Sequence, residues 1–315
     1  MSALDILSKI ILTWAFLLPF VSGPALLRAG EAVGRPLEIV DALGRRVILS
    51  APPRRIVTVF FSNTELICAL GLSDLIVGID AQTFYPEEIA DRPKIGGRLG
   101  ISLEQVVGRA PDLVLVTPAR QAVHTLLSPL EKLGIPTVVL TSRTVKEIRH
   151  NLEQVGVLVG VPETGQKVVA EMEVRLAEVD RRRRDRPRPK VVLITSRLPN
   201  GLFMTARRGS YTADIVELAG GELALELVSA PGLRLPQISP EVLLNVDPDI
   251  IIYTRRRGEG TETGDYLGGR AFAALKARRN GHIYDVPSSE FLIPAPRVID
   301  GVERLADLFD QWGGP

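Results

Sequence analysis

The chain has 315 residues, of which 45% are hydrophobic and 24% are charged, and its formal net charge is +1. This length is enough for two domains of ordinary size, and the balanced charge excludes a global field that would attract nucleic acid or an acidic membrane. Cys68 is the only cysteine, which excludes an intramolecular disulfide. Its apolar neighbours predict a small buried side chain.

Residues 1–30 have the pattern of an export signal. Lys9 precedes an apolar stretch, Ile10–Val21, and small residues follow it near Ser22 and Ala25. The stretch is shorter than an ordinary membrane span, which favours a cleaved signal peptide. We therefore expect a periplasmic protein. An uncleaved anchor, as in a membrane-anchored sensor domain, is the alternative.

Residues 37–143 are predicted to form an N-terminal α/β lobe. A hairpin over Leu37–Leu49 comes first, and short apolar strands then alternate with helices. This alternation predicts a mostly parallel sheet with helices on both faces. The predicted elements are strand Ile56–Phe60, helix Asn63–Leu70, strand Leu75–Ile79, helix Leu103–Arg109, strand Leu113–Val116, helix Gln121–Leu133 and strand Thr137–Leu140.

Residues 144–189 have an almost wholly helical pattern that breaks near Pro162. A helix over Glu163–Arg184 would be on the order of 33 Å long at about 1.5 Å per residue, enough to join two lobes. The α/β pattern returns over 190–313 and predicts a second Rossmann-like lobe. Its predicted elements are strand Val191–Thr195, helix Thr212–Ala219, strand Ile250–Tyr253, an exposed loop Arg255–Gly264, a helix near Phe272–Arg278, strand His282–Val286 and helix Pro296–Gln311.

One motif occurs in both predicted lobes. Each copy predicts a short helix capped by serine, then a Pro-Asp turn and a buried strand. A chain made of two similar α/β halves has a natural cleft between them, and such clefts bind ligands. The two copies place Ser, Glu, Pro and Asp at identical offsets, as Ser102, Glu104, Pro111 and Asp112, and as Ser239, Glu241, Pro248 and Asp249.

This order of hairpin, lobe, helical linker and lobe, with the doubled motif, resembles the substrate-binding proteins of ABC importers for iron-siderophores, haem and vitamin B12. The resemblance extends from Leu37 to Phe309. Short phrases agree with it, namely Arg55-Ile-Val, Thr64-Glu-Leu, Pro111-Asp-Leu-Val-Leu, Leu218-Ala-Gly-Gly, Pro236-Gln-Ile-Ser-Pro-Glu and Ala295-Pro-Arg-Val.

The resemblance implies a carrier that captures a ligand between two lobes and performs no reaction. Its expected partners are an ABC transporter permease and a small-molecule metal chelate, with a ferric siderophore as the expected chelate. It implies neither a cofactor nor a nucleic-acid partner, and we expect a monomer. Because a helical linker has fewer freely rotating joints than coil, we expect only a small closure on binding.

Ligand contacts are expected beyond the carboxyl ends of the strands, where open α/β sheets bind their ligands. Arg98 is the foremost candidate, since the resemblance implies that an arginine at this place contacts ferric hydroxamates. A guanidinium offers planar donors to chelate oxygens. An exposed loop position or core packing is the competing interpretation at each site. The other candidates are Arg120, Arg197, Arg234 and Thr117, with Phe61, Tyr85 and Phe291 as apolar walls.

Glu104 and Glu241 each lie in the first turn of a repeat helix. A carboxylate there complements the helix dipole, which is a purely local explanation. The resemblance adds a second one, since the matching glutamates of the family sit one per lobe and pair with arginines of the permease. Two symmetric acidic points would fix the docking orientation.

The same residues bear on other ligands and on an enzymatic function. The resemblance implies tryptophans in the cleft for cobalamin and a tyrosine in the loop 95–101 for haem, and this chain has neither there. A cobalamin or haem carrier stays as an alternative, as does a tetrapyrrole metal chelatase. Phosphate-loop, dinucleotide and nucleophile-elbow motifs do not occur in the sequence. The three histidines, His124, His150 and His282, lack metal-ligand spacing.

Overall fold

The computed structural model describes residues 37–97, 100–118, 123–225, 236–255 and 262–312. The predicted signal peptide over residues 1–30 lies outside them. The strands are β1 (Leu37–Val40), β2 (Arg46–Leu49), β3 (Ile56–Thr58), β4 (Ile76–Ile79), β5 (Gly96–Gly97), β6 (Gly100–Ile101), β7 (Leu113–Val116), β8 (Thr137–Val139), β9 (Lys190–Arg197), β10 (Phe203–Thr205), β11 (Glu222–Leu223), β12 (Gln237–Ile238), β13 (Ile250–Arg255) and β14 (Ile283–Pro287).

The α-helices include the predicted ones in their predicted order, and two short ones, Glu262–Leu267 and Ser288–Phe291, were not predicted. They are α1 (Phe61–Ala69), α2 (Leu103–Val107), α3 (Ser128–Lys132), α4 (Val145–Leu158), α5 (Pro162–Arg183), α6 (Tyr211–Leu218), α7 (Pro240–Val246), α8 (Glu262–Leu267), α9 (Lys276–Arg279), α10 (Ser288–Phe291) and α11 (Val298–Trp312). A π-helical turn, Val123–Leu127, leads into α3.

The N-terminal lobe is built on a four-stranded sheet of order β4-β3-β7-β8. All three pairings in it are parallel. Apart from one half-buried residue in β4, its strands are buried along their whole length, as expected when helices cover both faces. The predicted hairpin is present as the antiparallel pair β1–β2.

The C-terminal lobe is built on a six-stranded mixed sheet. Strands β11, β9, β13 and β14 pair in parallel, whereas β10 pairs antiparallel with β9 and with β12. The fold is therefore two α/β lobes with mostly parallel sheets, as predicted. The antiparallel strand β10 was not predicted. It arises from a tight turn at Asn200-Gly201, where the amide of Leu202 donates to Asn200 Oδ1 at 3.2 Å.

Two packed helices, α4 and α5, connect the lobes. They approach each other closely at Gly156 and Gly165, where a Cβ on Gly165 would lie 2.8 Å from the carbonyl oxygen of Leu152. Helix α4 packs on β1 and α6, and α5 packs on α6 and α11. The predicted long helix is confirmed as the 22-residue α5. Three arginines of α5 form ion pairs with acids of α11, namely Arg175, Arg182 and Arg183.

The hydrophobic core explains why the lobes are not independent of the linker. One continuous cluster of buried side chains includes members of both sheets and of α4, α5 and α11. Two smaller clusters cover the other faces, one behind the N-terminal sheet and one behind the C-terminal sheet. Each sheet thus has one face on a shared core and one on its own.

The repeated motif ties a turn to a strand in both lobes. Asp112 accepts the backbone N–H groups of Arg54 and Arg55 at 2.8 and 2.9 Å, just before β3. Asp249 accepts the N–H of Lys190 at 2.9 Å, where β9 begins. The aspartate of each copy therefore fixes the start of the neighbouring strand, which explains its repeated place in the sequence.

The predicted loop Arg255–Gly264 is wrong at both ends. Arg255 is the last residue of β13 and pairs with Pro287 of β14. Helix α8 begins at Glu262, and the residues between, 256–261, lie outside the described ones. Charge and glycine content predicted a loop here, but the ladder of β13 continues with β14 and overrides that local preference.

Candidate ligand-binding site

The carboxyl ends of the parallel strands form one edge of each sheet. In the N-terminal lobe this edge carries Phe60 after β3, Asp80 after β4 and Thr117 after β7. In the C-terminal lobe it carries Arg197 and Arg255, the last residues of β9 and β13. Ligands of open α/β sheets bind at this edge, so these segments are the candidate ligand contacts.

The turn from β3 into α1 is held by a compact polar network. Phe60 has a backbone φ of +75°, in the left-handed region that a residue with a Cβ rarely adopts. The Asn63 amide donates to the carbonyl of Val59 at 2.7 Å and to Thr117 Oγ1 at 3.3 Å. Such strained backbone persists only where the surroundings over-determine it, and it clusters at functional sites. The candidate Phe61 is the first, half-buried residue of α1.

Tyr85 lies in the loop that follows β4. Asp80 shapes the start of that loop by accepting the N–H of Gln82 at 2.7 Å. Tyr85 is 50% exposed and its neighbour Phe84 is 67% exposed, so two aromatic side chains present surface here. The guanidinium carbon of Arg297 lies 4.3 Å from the centroid of the Tyr85 ring. This stacking restricts the ring while leaving half of it open to a ligand.

Arg297 reaches this loop from the C-terminal lobe, where it immediately precedes α11. Its Nη2 lies 2.6 Å from Oε1 of Glu65 in α1, and the two side chains are only 15% and 4% exposed. Burial raises the pKa of Glu65 to about 7, although the charge of Arg297 lowers it. The segment before α11 is thereby joined to the carboxyl edge of the N-terminal sheet.

The C-terminal edge carries a second stacked arginine. The guanidinium carbon of Arg197 lies 4.0 Å from the ring centroid of Tyr266 in α8. Tyr266 in turn meets Phe203 and Phe272 edge-on, with centroids 5.8 and 5.3 Å away. Both phenylalanines are buried and Arg197 is exposed. The aromatic cluster therefore supports an arginine that is itself exposed to solvent.

The other predicted site residues fall into two groups. Thr117 is half-buried next to Asn63, as described above. Phe291 is fully buried in the shared core, so the competing interpretation of core packing accounts for it. Because its side chain has no exposed surface, Phe291 cannot contact a ligand in this conformation. The positions of Arg98, Arg120 and Arg234 lie outside the described residues.

Glu65 and Arg297 were not among the predicted site residues. The signal for them was present in the phrases Thr64-Glu-Leu and Ala295-Pro-Arg-Val. This signal could not identify the pair, because local sequence patterns do not relate two residues that lie 232 positions apart. Only the tertiary structure brings this acid and this base together.

The two repeat helices begin in the same way. The Ser102 hydroxyl accepts the N–H of Gln105 at 3.2 Å, and the Ser239 hydroxyl accepts that of Val242 at 3.4 Å. Glu104 and Glu241 are exposed in the first turn of α2 and α7. A hydrogen bond with Ser239 lowers the pKa of Glu241. The prediction that a serine caps each repeat helix is confirmed.

Metal-ligating side chains do not gather in the described part of the chain. No group of three or more His, Cys, Asp or Glu residues there could hold an ion. His282 instead stacks on Tyr284, with ring centroids 6.3 Å apart. Cys68 is half-buried in α1, and burial raises the pKa of its thiol to about 12.

Among the helices of the described residues, none combines the length and the apolar character that a membrane span requires.

The fold consists of two α/β lobes, and each sheet has a candidate ligand edge. A sequence profile described as periplasmic binding protein matches residues 56–290, which is more than half of the chain. The chain belongs to this family, and within it to the substrate-binding proteins of ABC importers. Its relatives are transport proteins rather than enzymes, and a protein of this class delivers its ligand to a permease.

Individual relatives differ in the ligand that their names carry. A vitamin B12-binding protein of Vibrio campbellii is 25% identical over 83% of this chain and 91% of its own length. The periplasmic haem-binding protein RhuT of Roseiflexus has 25% identity and a TM-score of 0.70, covering 82% of this chain and 99% of its own. An ABC-type Fe3+-hydroxamate transport protein of Saccharomonospora viridis has 23% identity and a TM-score of 0.69, covering 87% and 99%.

Proposed function

We propose that this protein captures a metal chelate between its two lobes, at the facing carboxyl edges of the two sheets, and delivers it to an ABC permease. A ferric siderophore is the expected chelate. The observation that carries the proposal is the pairing of a cation with an aromatic ring at both edges: Arg297 with Tyr85, and Arg197 with Tyr266.

The chemistry of these arginine–tyrosine pairs suits an oxygen-rich, anionic ligand. A guanidinium donates hydrogen bonds in a planar fork that matches chelate oxygens. The exposed faces of Phe84 and Tyr85 offer apolar contact beside it. Arg98, Arg120 and Arg234 remain candidates on the strength of the sequence, while Thr117 and Phe61 belong to the same edge as Tyr85.

A cobalamin or haem carrier is the second candidate. Two relatives at 25% identity carry vitamin B12 and haem in their names, which favours a tetrapyrrole-like ligand. The open face of Tyr85 would suit a flat ring system as well as a chelate. The two candidate functions share the site and the transport role, and they differ only in the ligand.

Calorimetric titration with ferrichrome, cyanocobalamin and haemin separates these candidates. We expect ferrichrome to bind at micromolar concentration or tighter, and Arg197→Gln to weaken it about tenfold through a lost charge-assisted contact. Arg279→Gln, on the exposed end of α9, is the matched control and should bind normally. If only haemin or only cyanocobalamin binds, the second candidate function is supported and the siderophore is not the ligand. Binding of none of the three would contradict the proposal.

Glu104 and Glu241 are proposed as the two docking points for the permease. Both are exposed and stand at the same place in the two copies of the repeat, and rim charges of this kind set encounter rate and orientation. Reversing either charge, as Glu104→Arg or Glu241→Arg, should slow delivery to the cognate importer in proteoliposomes about tenfold and leave ligand affinity unchanged. Normal delivery by the double variant would disprove the docking role.

The cellular setting follows from the same class. A binding protein of this family acts outside the cytoplasm, and the apolar stretch Ile10–Val21 is proposed as the signal that exports it to the periplasm as a free monomer. The proposed organisation is an N-terminal lobe over 37–143, a helical linker over 144–189 and a C-terminal lobe over 190–313. N-terminal sequencing of the exported protein distinguishes a cleaved signal from an anchored sensor.

A further inference from the structure

Two acids withdrawn from solvent occupy matching positions in the two lobes. Glu65 lies in α1 and Asp214 in α6, each six residues before the glycine that closes its helix. Those glycines, Gly71 and Gly220, adopt left-handed backbone with φ of +75° and +84°. Burial raises the pKa of both carboxyl groups. The acids thus belong to a second internal repeat, separate from the Ser-Glu-Pro-Asp motif.

Each of these acids bonds to a partner outside its own lobe. Glu65 accepts a hydrogen bond from Arg297, in the segment before α11, at 2.6 Å. Asp214 accepts the backbone N–H of Val145, the first residue of the linker helix α4, at 2.7 Å. The Thr144 side chain caps the same helix end at the N–H of Glu147. One acid therefore reaches the opposite lobe and the other holds the start of the linker.

The Glu65 bond also reaches the ligand edge. Arg297 is the residue that stacks on Tyr85, and Glu65 holds the guanidinium that does so. The three side chains form a chain from the buried face of α1 to a half-exposed ring. A shift of Arg297 would displace the ring, because the stacked guanidinium restricts its position.

We propose that Glu65 and Asp214 are a matched pair of ties that fix the spacing of the two lobes, and that the Glu65 tie positions Tyr85 for the ligand. Neither acid needs to touch the ligand. The part that concerns Tyr85 rests on the proposed function, whereas the spacing of the lobes does not. Removing Arg297 leaves the buried Glu65 without its charged partner, and removing the Asp214 carboxylate leaves the Val145 N–H without its acceptor. Both losses favour opening of the contact concerned.

Distances between spin labels test the spacing without any ligand. In the full chain with Cys68→Ser, labels at Lys132→Cys and Arg279→Cys report on one exposed position in each lobe. We expect one narrow distance distribution, and we expect Arg297→Gln or Asp214→Ala to at least double its width. Arg297→Lys keeps the charge and should restore most of the narrow distribution.

Arg304→Gln is the matched control. Arg304 pairs with Glu290 at 2.6 Å within the C-terminal lobe, so its loss breaks an ion pair of similar length without releasing the other lobe. This variant should keep the narrow distribution. If Arg297→Gln fails to fold by circular dichroism, Asp214→Ala still decides. An unchanged width in Asp214→Ala, and in Arg297→Gln where it folds, would overturn the ties.

The position of Tyr85 is tested by calorimetry with ferrichrome, cyanocobalamin and haemin. For any of these probes that the parent protein binds, Arg297→Gln should lower the affinity about tenfold, and Tyr85→Ala should lower it no further when combined with it. Independent, additive losses would contradict a positioning role. Should none of the three bind, the proposed function fails while the distance measurement still decides on the ties.

Discussion

The two lobes share a repeated unit but differ in what surrounds it. In both, a serine-capped helix presents an exposed glutamate, and a Pro-Asp turn holds the neighbouring strand. The N-terminal sheet consists of four parallel strands, whereas the C-terminal sheet also contains the antiparallel β10. Phe203 of β10 supports Tyr266 and hence Arg197. The repeated parts fix the architecture and carry the proposed docking points, and the parts that differ carry the proposed ligand contacts.

Replacing the repeated aspartates should give the largest loss of stability. Asp112→Ala removes two charge-assisted bonds to backbone amides and Asp249→Ala removes one, together with the ion pair to Lys276. We expect each to lower the free energy of unfolding by about 3 kcal/mol. Urea unfolding measures it, with the fully exposed Asp74→Ala as control. A loss confined to one of the two would mean that the repeat is not structurally equivalent.

Glu65, whose partner differs from that of its counterpart Asp214, should give the next effect, through the pH dependence of stability. The pKa of Glu65 is raised from 4.5 to about 7 by burial, with Arg297 opposing and Asp300 adding to the shift. Between these values the folded protein holds a proton that the unfolded chain has released. Stability from this group is therefore greatest below pH 4.5 and falls as pH rises to about 7, by about 3 kcal/mol.

Glu65→Gln should remove that part of the pH dependence. The measurement is the unfolding free energy at several pH values from 4.5 to 7, compared with Glu153→Gln, which changes an exposed carboxylate of α4. A parent protein whose stability rises across this window, relative to Glu65→Gln, would show that the ion pair outweighs burial.

The two helix caps should give the smallest and most equal effect. Ser102→Ala and Ser239→Ala each remove one hydroxyl that caps a repeat helix. We expect a loss of about 1 kcal/mol in unfolding free energy for each. Ser128→Ala is the control, since the N-cap position of α3 is Leu127 and no side chain caps it. Losses that differ by more than twofold would mark the two helices as differently supported.

Much of the fold was predictable because it rests on local patterns. The run Leu113–Val116 is a buried strand at the predicted residues, and Gly71 and Gly134 close their helices as expected. The antiparallel β10 was missed, although Asn200-Gly201 is a turn signal, because the strand after it has only three residues.

The ligand site was predictable only in part. Segments at the strand ends could be placed from topology, since parallel strands share one carboxyl edge. Whether a given aromatic residue lines that edge or fills the core depends on packing, as Tyr85 and Phe291 show. The pairing of Glu65 with Arg297 depends on the arrangement of two lobes, which local patterns do not contain.

Hydrogen–deuterium exchange with and without ferrichrome tests the central claim most directly. If the ligand lies between the lobes, backbone amides of 59–64 and 81–85 in the N-terminal lobe and of 196–201 in the C-terminal lobe should exchange more slowly when it is bound. The outer hairpin β1–β2 should be unaffected. Protection confined to a single lobe, or to surfaces away from the carboxyl edges of the sheets, would contradict this account.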